Sequence, residues 1–257
     1  MFKISGVQEW HEKGYKGKGI RVMVAEPDPN NYHAKSVEEI IKMYAPDCEV
    51  IMYDYENFKE IDMAEYAIKN KVDIINTSYG INYPDNTFVE TRAKEQYKRI
   101  LDAGIFVVNS AGNEGENGIK DNGLVDDRII NVGAVDKKLE IESYSSFDNT
   151  GKVDCCGMVG LVLKDGTILS GTSEASPYVA GLIACILSKN KMNLKDLALF
   201  MAKNSLDLPQ DNKTGVGLFR LPCFDNYLSV RMTKPNGKEI FVHKDFVYNA
   251  IKKGYTV

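Results

Sequence analysis

No apolar run in this chain is long enough to cross a bilayer, which removes membrane-spanning functions from consideration. The first residues, Met1-Phe2-Lys3-Ile4-Ser5-Gly6, lack the apolar core of a secretory signal. There is no excess of basic residues: the formal net charge is -4, which argues against nucleic-acid binding through a basic face. Cysteine is sparse and odd in number, at positions 48, 155, 156, 185 and 223, with no Cys-x-x-Cys pair. That pattern excludes a disulfide framework and predicts reduced thiols in a cytoplasmic setting. Histidine is sparser still: His11, His33 and His243 are the only three. His11-Glu12 is not part of a His-Glu-x-x-His zinc motif, and the glycines from Gly14 to Gly19 lack the Gly-Lys-Ser/Thr ending of a phosphate loop. Neither a metal nor an organic cofactor is expected. Repeats and low-complexity tracts are absent.

What is present suits a folded α/β protein. Hydrophobic residues make up 44% of the chain and charged residues 26%, enough to bury a sizeable core. Strand-like runs at 20–25, 48–53, 72–78, 105–109 and 129–135 alternate with helical periodicity at 34–44, 58–70 and 88–103. Such alternation predicts a mainly parallel sheet covered by helices on both faces. It would equally suit a dinucleotide-binding domain, so it does not decide function. Residues 136–170 show no clear helix, and 159–170 read as a hairpin around Lys164-Asp165-Gly166. Helices are expected again near 173–189 and 193–204.

One stretch organises the chain: Gly171-Thr172-Ser173-Glu174-Ala175-Ser176-Pro177-Tyr178-Val179-Ala180-Gly181. It follows the strand-like run Thr167-Ile168-Leu169-Ser170 and opens a helix of small and apolar residues. A serine at a helix start has its hydroxyl beside unpaired backbone N–H groups, so one residue can supply both a nucleophile and an anion-stabilising donor. Pro177 is expected in the first helical turn, where a missing N–H costs nothing.

The stretch resembles the nucleophile motif of the subtilisin-like serine proteases, Gly-Thr-Ser-x-Ala-Ser-Pro followed by a small-residue helix. The likeness extends from about residue 5 to 221. Trp10 and the glycines at 14, 17 and 19 resemble the run before the family's first central strand, and Ser143-Tyr144-Ser145-Ser146-Phe147 and Gly215-Val216-Gly217-Leu218 resemble later segments. The resemblance implies a three-layer sandwich and a catalytic Ser173. A serine hydroxyl needs a base within reach, and the base needs an orienting acceptor. His11 lies in a lysine- and glutamate-rich start and His243 lies beyond the resemblance, which leaves His33, expected at a helix start. Its run His33-Ala34-Lys35-Ser36-Val37-Glu38 keeps the His and Val of the family's His-Gly-Thr-x-Val-Ala but not the Gly. The family's acid, in Val-x-Val-x-Asp-x-Gly, falls on Glu26, with Asp28 two residues on as a rival. Ala111-Gly112-Asn113-Glu114-Gly115 resembles Ala-Gly-Asn-x-Gly, which implies that the Asn113 amide donates to the oxyanion. Ser78, Tyr79 and Gly80 correspond to the edge that pairs with extended substrate. Ser110, Ala111 and Gly112 correspond to the facing wall of the pocket.

The expected function is a subtilisin-like serine endopeptidase with a Ser-His-Glu triad. The alternative is a pseudoprotease of the same fold that binds peptides or acts as a scaffold. Only four residues precede the resemblance, so no folding prodomain is expected, and the uninterrupted 33–46 run leaves no calcium loop. Residues 1–221 are expected to form the peptidase domain. Residues 222–257 read as a ββα extension: strands at 227–232 and 238–242 around Pro235-Asn236-Gly237, then a helix capped by Asp245. It is expected to pack on the main domain, or else to dock a protein partner.

Overall fold

The computed structural model describes residues 2–54, 62–81, 88–116, 118–148, 151–209, 211–224, 229–243 and 246–256. Two short helices, α1 (Phe2–Ser5) and α2 (Val7–Glu12), lead into β1 (Arg21–Glu26) and α3 (Tyr32–Tyr44). Then come β2 (Glu49–Asp54), α4 (Met63–Lys69), β3 (Ile74–Thr77), α5 (Phe88–Asp102), β4 (Phe106–Ser110) and β5 (Ile130–Val135). The chain continues with β6 (Cys155–Met158), α6 (Thr172–Lys189), α7 (Leu194–Asn204) and the single turn α8 (Asp211–Thr214). Strands β1 to β6 form one parallel sheet in the order β2-β1-β3-β4-β5-β6.

Both faces of this sheet are buried, and side-chain alternation sorts its residues between them. Val22, Val24, Ile74, Phe106 and Val108 face the side of α3 and α6. Met23, Ala25, Ile75 and Val107 face the side of α4 and α5. The fold is therefore the expected three-layer α/β sandwich. Helix α3 is capped by the Asn31 side chain, which accepts the Ala34 N–H at 2.7 Å, and it buries Ala34, Val37, Ile40, Ile41 and Tyr44. Helix α6 is buried almost all round and crosses α3 closely. A Cβ on Gly181 would sit 2.7 Å from the Tyr44 Cβ, so only glycine permits that approach.

Three local expectations need correction. Thr167–Ser170 is not a strand: one antiparallel bridge, Val162 to Ile168, closes the hairpin, and the chain then runs irregularly to Gly171. Strand β6 was not foreseen. Its Cys-Cys-Gly-Met run has little intrinsic strand preference and is held by pairing with β5. Pro177 lies in the second turn of α6, not the first. Its missing N–H frees the Ser173 carbonyl, which accepts the Ser78 hydroxyl at 3.2 Å instead. The tertiary contact compensates for the lost helical bond. The predicted start of the 58–70 helix falls partly outside the described residues.

The C-terminal segment forms β7 (Ser229–Thr233), β8 (Glu239–His243) and α9 (Val247–Lys252), with β7 and β8 antiparallel. Val230, Met232, Val247 and Ala250 are buried in the same cluster as α3 and α6, and Lys252 pairs with Glu140. Asp245 and the residues at 227 and 228 lie outside the described residues. All five cysteines are buried free thiols.

Candidate active site

Alternation along β1 decides where Glu26 points. It shares the parity of Val22 and Val24, so its carboxylate enters the α3/α6 side at the C-terminal rim of the sheet. The turn after β1 returns the chain at once into α3, whose second residue is His33. The step between Glu26 and His33 is short, yet the Glu26 Oε2 lies 3.2 Å from the His33 Nδ1. Glu26 is buried, with its side chain 3% exposed, whereas the His33 ring is 43% exposed. The hydrogen bond to Glu26 raises the His33 pKa above its ordinary value, and burial opposes the rise. The other Glu26 oxygen, Oε1, is buried with no hydrogen-bond partner among the described residues, so the carboxylate gains further when a positive charge forms on the ring. Asp28 is exposed and accepts the Asn30 N–H at 2.8 Å within its own turn. The structure therefore brings Glu26, not Asp28, to His33.

Gly171, at φ +119, turns the chain into α6 and places Ser173 in its first turn. The Ser173 hydroxyl donates to the Ser78 carbonyl at 3.0 Å, and no hydrogen bond joins it to His33. Ser78 is anchored from below: its Oγ accepts from Asn76 Nδ2 at 2.9 Å and lies 3.0 Å from the Ser176 Oγ. Neither Asn76 nor Ser176 was singled out from sequence. Both are buried polar residues at the parity or helical spacing that faces the sheet rim, and that is the signal they carry.

Asn113 follows β4 and is exposed. Its Oδ1 accepts the Thr172 N–H at 2.9 Å, which fixes the amide against the start of α6. Its Nδ2 makes no hydrogen bond among the described residues and is left beside the N-terminal turn that carries Ser173. The two edges differ in their bonding. Ser110 and Ala111 are buried in the β4–β5 pairing, and the Gly112 carbonyl accepts the Ser146 N–H at 2.9 Å, so this wall is internally satisfied. Ser78 is buried too, Tyr79 offers its carbonyl to Asn122 at 3.3 Å, and Gly80 is exposed, with no backbone hydrogen bond among the described residues. Residues 110–112 thus form a closed wall. His11 binds the Tyr44 carbonyl at 2.8 Å, away from this rim.

An apolar cavity of about 760 Å³ lies elsewhere, at the N-terminal ends of β4 and β5. Leu101, Ile105, Phe106, Ile129, Met192 and Met201 line it. No cluster of three metal-ligating side chains occurs among the described residues.

A parallel-sheet sandwich with a carboxylate–imidazole pair and a helix-start serine at one rim defines a class of α/β hydrolytic folds. Within it, residues 23–217 match the Subtilase family model, and the chain belongs to that family. Among curated proteins it is 37% identical over 131 residues to subtilisin DY of Bacillus licheniformis, covering 49% of this chain and 46% of the relative. It is 32% identical over 136 residues to proteinase T of Parengyodontium album, covering 52% of this chain and 44% of that protein. The chain thus spans about half the length of the curated relatives it matches. Among solved structures, a lanthipeptide protease superposes with TM-score 0.66 at 18% identity, over 85% of this chain and 91% of that one. The prenylagaramide maturation protease PagA gives TM-score 0.66 at 18% identity, over 84% and 96%. These two likenesses establish the fold.

Proposed function

We propose that this protein is a serine endopeptidase in which Ser173 attacks the scissile carbonyl, His33 takes and returns the proton, and Glu26 orients His33. The observation that carries the reading is the buried Glu26 carboxylate hydrogen-bonded to His33 Nδ1. That bond commits the ring proton to Nδ1 and leaves Nε2 as the lone-pair nitrogen. Glutamate supplies the same acceptor oxygens as aspartate on a stem one methylene longer. For attack, the Ser173 hydroxyl leaves the Ser78 carbonyl and turns toward Nε2. Asn113 Nδ2 and the Ser173 N–H then receive the oxyanion, as donors already aimed where charge develops. Gly80 pairs with the substrate backbone, and residues 110–112 wall the pocket for the side chain before the cut.

The substrate is a protein or peptide. The 222–257 extension is a further docking surface for a protein partner, and the reduced thiols fit a cytoplasmic setting. No described helix is long and apolar enough to cross a membrane.

The test is labelling with an active-site fluorophosphonate. The wild type should label and Ser173→Ala should not, with peptide turnover falling about 10⁶-fold, the scale seen when a subtilisin loses its nucleophile. A folded wild type that neither labels nor cleaves peptides makes the molecule a peptide-binding scaffold instead.

A further inference from the structure

The hairpin between β6 and α6 has no part in the chemistry above, yet it touches both helices that carry it. At its root, Glu174, the residue after Ser173, is 1% exposed and accepts two backbone N–H groups of the hairpin. Gly160 donates to Oε2 at 3.0 Å and Leu161 to Oε1 at 2.6 Å. At its tip the hairpin reaches α3: the Tyr32 hydroxyl donates to Asp165 Oδ2 at 2.9 Å, and the Lys164 N–H donates to Glu39 Oε1 at 2.6 Å. Tyr32 directly precedes His33. Leu161 and Leu163 are buried, but Val162 and Ile168 are 52% and 63% exposed, so the outer half has little apolar packing and its placement rests on these polar anchors.

We propose that residues 160–168 form a positioning strap that sets His33 relative to Ser173, with Glu174 anchoring it to the nucleophile helix and Asp165 anchoring it to the base helix. The inference rests on the peptidase reading only in assuming that those two side chains act together. Its physical basis is the strength of hydrogen bonds to ionised carboxylates and the cost of leaving a buried one unpaired. A misplacement of about 1 Å between reacting groups costs on the order of 10²-fold in rate, so a strap of this kind has leverage on turnover.

The two anchors differ in their response to pH. Burial pushes Glu174 up to about 7, against the pull of the Gly160 and Leu161 N–H groups and of Lys137. Tyr44 of α3 and Tyr144 of the loop before β6 also face it. Protonation turns one oxygen into a donor and gives up one of the two N–H bonds, so the root loosens as pH falls through about 7. Asp165 is held below its ordinary range by the Thr167 N–H and the Tyr32 hydroxyl, so the tip stays ionised.

The experiment follows the His33 imidazole titration by NMR and peptide turnover together, in wild type, Glu174→Gln, Glu174→Ala, Tyr32→Phe and the Glu174→Ala/Tyr32→Phe double variant. Glu174→Ala and Tyr32→Phe should each lower kcat about tenfold at unchanged KM. Each should also move the His33 titration down toward 6.5, because α3 no longer presses the ring onto Glu26. The double variant should lose no more than the worse single one, because both cut one strap. Wild-type kcat should carry a second step near pH 7, in addition to the one His33 produces, and Glu174→Gln should keep only the His33 step. Multiplying effects, or an unmoved His33 titration in both single variants, overturns the proposal. Tyr32→Phe removes only an exposed hydroxyl, so the tip is tested even where Glu174→Ala fails to fold. A wild type that does not cleave, with a His33 titration that still responds to both variants, rejects the peptidase reading and leaves the strap standing.

Discussion

The two rims of the central sheet are built from the same strands and have opposite characters. The N-terminal rim holds an apolar cavity of about 760 Å³, and beside it Asp154 is pushed up to about 6 by burial and accepts the Asn131 N–H at 2.8 Å. The C-terminal rim instead gathers Glu26, His33, Ser78, Ser173 and Ser176, most of them buried and bonded to one another. Free space is therefore a poor guide to chemistry in this molecule. A catalytic centre needs polar groups whose burial is compensated by neighbours that change charge or proton with them, and the Glu26–His33 pair at the C-terminal rim is of that kind.

The sharpest test of that contrast after the nucleophile is the acid. Glu26→Gln should lower kcat about 10⁴-fold, because an amide favours the wrong imidazole tautomer. Asp28→Asn should change it less than about twofold, because Asp28 serves only its own turn and lies at the surface. Steady-state kinetics on one fluorogenic peptide decides between them, and equal losses would remove Glu26 from the mechanism. Asn113→Ala should cost about 10²–10³-fold in kcat with KM little changed, the range known for an oxyanion donor of a subtilisin. A change in KM alone would make Asn113 a binding residue.

The pH dependence follows from His33. The base must be neutral, and its pKa is raised, so kcat/KM should fall about tenfold per pH unit below a midpoint above 6.5. In Glu26→Gln that midpoint should move down. The stability sign is the reverse of the activity sign. The Glu26–His33 bond adds stability below pH 6.5 that is lost as pH rises through the folded-state value. Thermal midpoints of wild type and Glu26→Gln should therefore converge on the alkaline side. At the other rim, Ile105→Ala should leave kcat unchanged while destabilising by about 2–5 kcal/mol, measured by urea unfolding. A loss of turnover there, with the fold intact, would break the contrast between the rims.

Much of this was legible beforehand. The serine at a helix start, the histidine at another and the buried strands each announce themselves within a short window, through caps, periodicity and glycine boundaries. Glu26 was preferred to Asp28 on its place in the motif, with Asp28 kept as a rival, because the spacing alone does not show which face β1 turns toward α3. Strand β6 was not foreseen because its pairing with β5, not its composition, makes it a strand. The second-turn position of Pro177 was misjudged because what makes it tolerable is the Ser78 hydroxyl, a residue far away in the chain. The role of Glu174 was invisible for the same reason: nothing in a run of small residues says that its carboxylate will meet two N–H groups of the preceding hairpin.

The amino-acid order alone thus determined the alternation of strands and helices, the motif around Ser173 and the family, since all of these reside in local spacing. The assembled fold decided which carboxylate meets the imidazole, where the Ser173 hydroxyl rests and what ties α3 to α6. Those outcomes depend on side-chain parity and on burial shared between distant segments, and a buried polar group selects its partner only once water has been removed from around both.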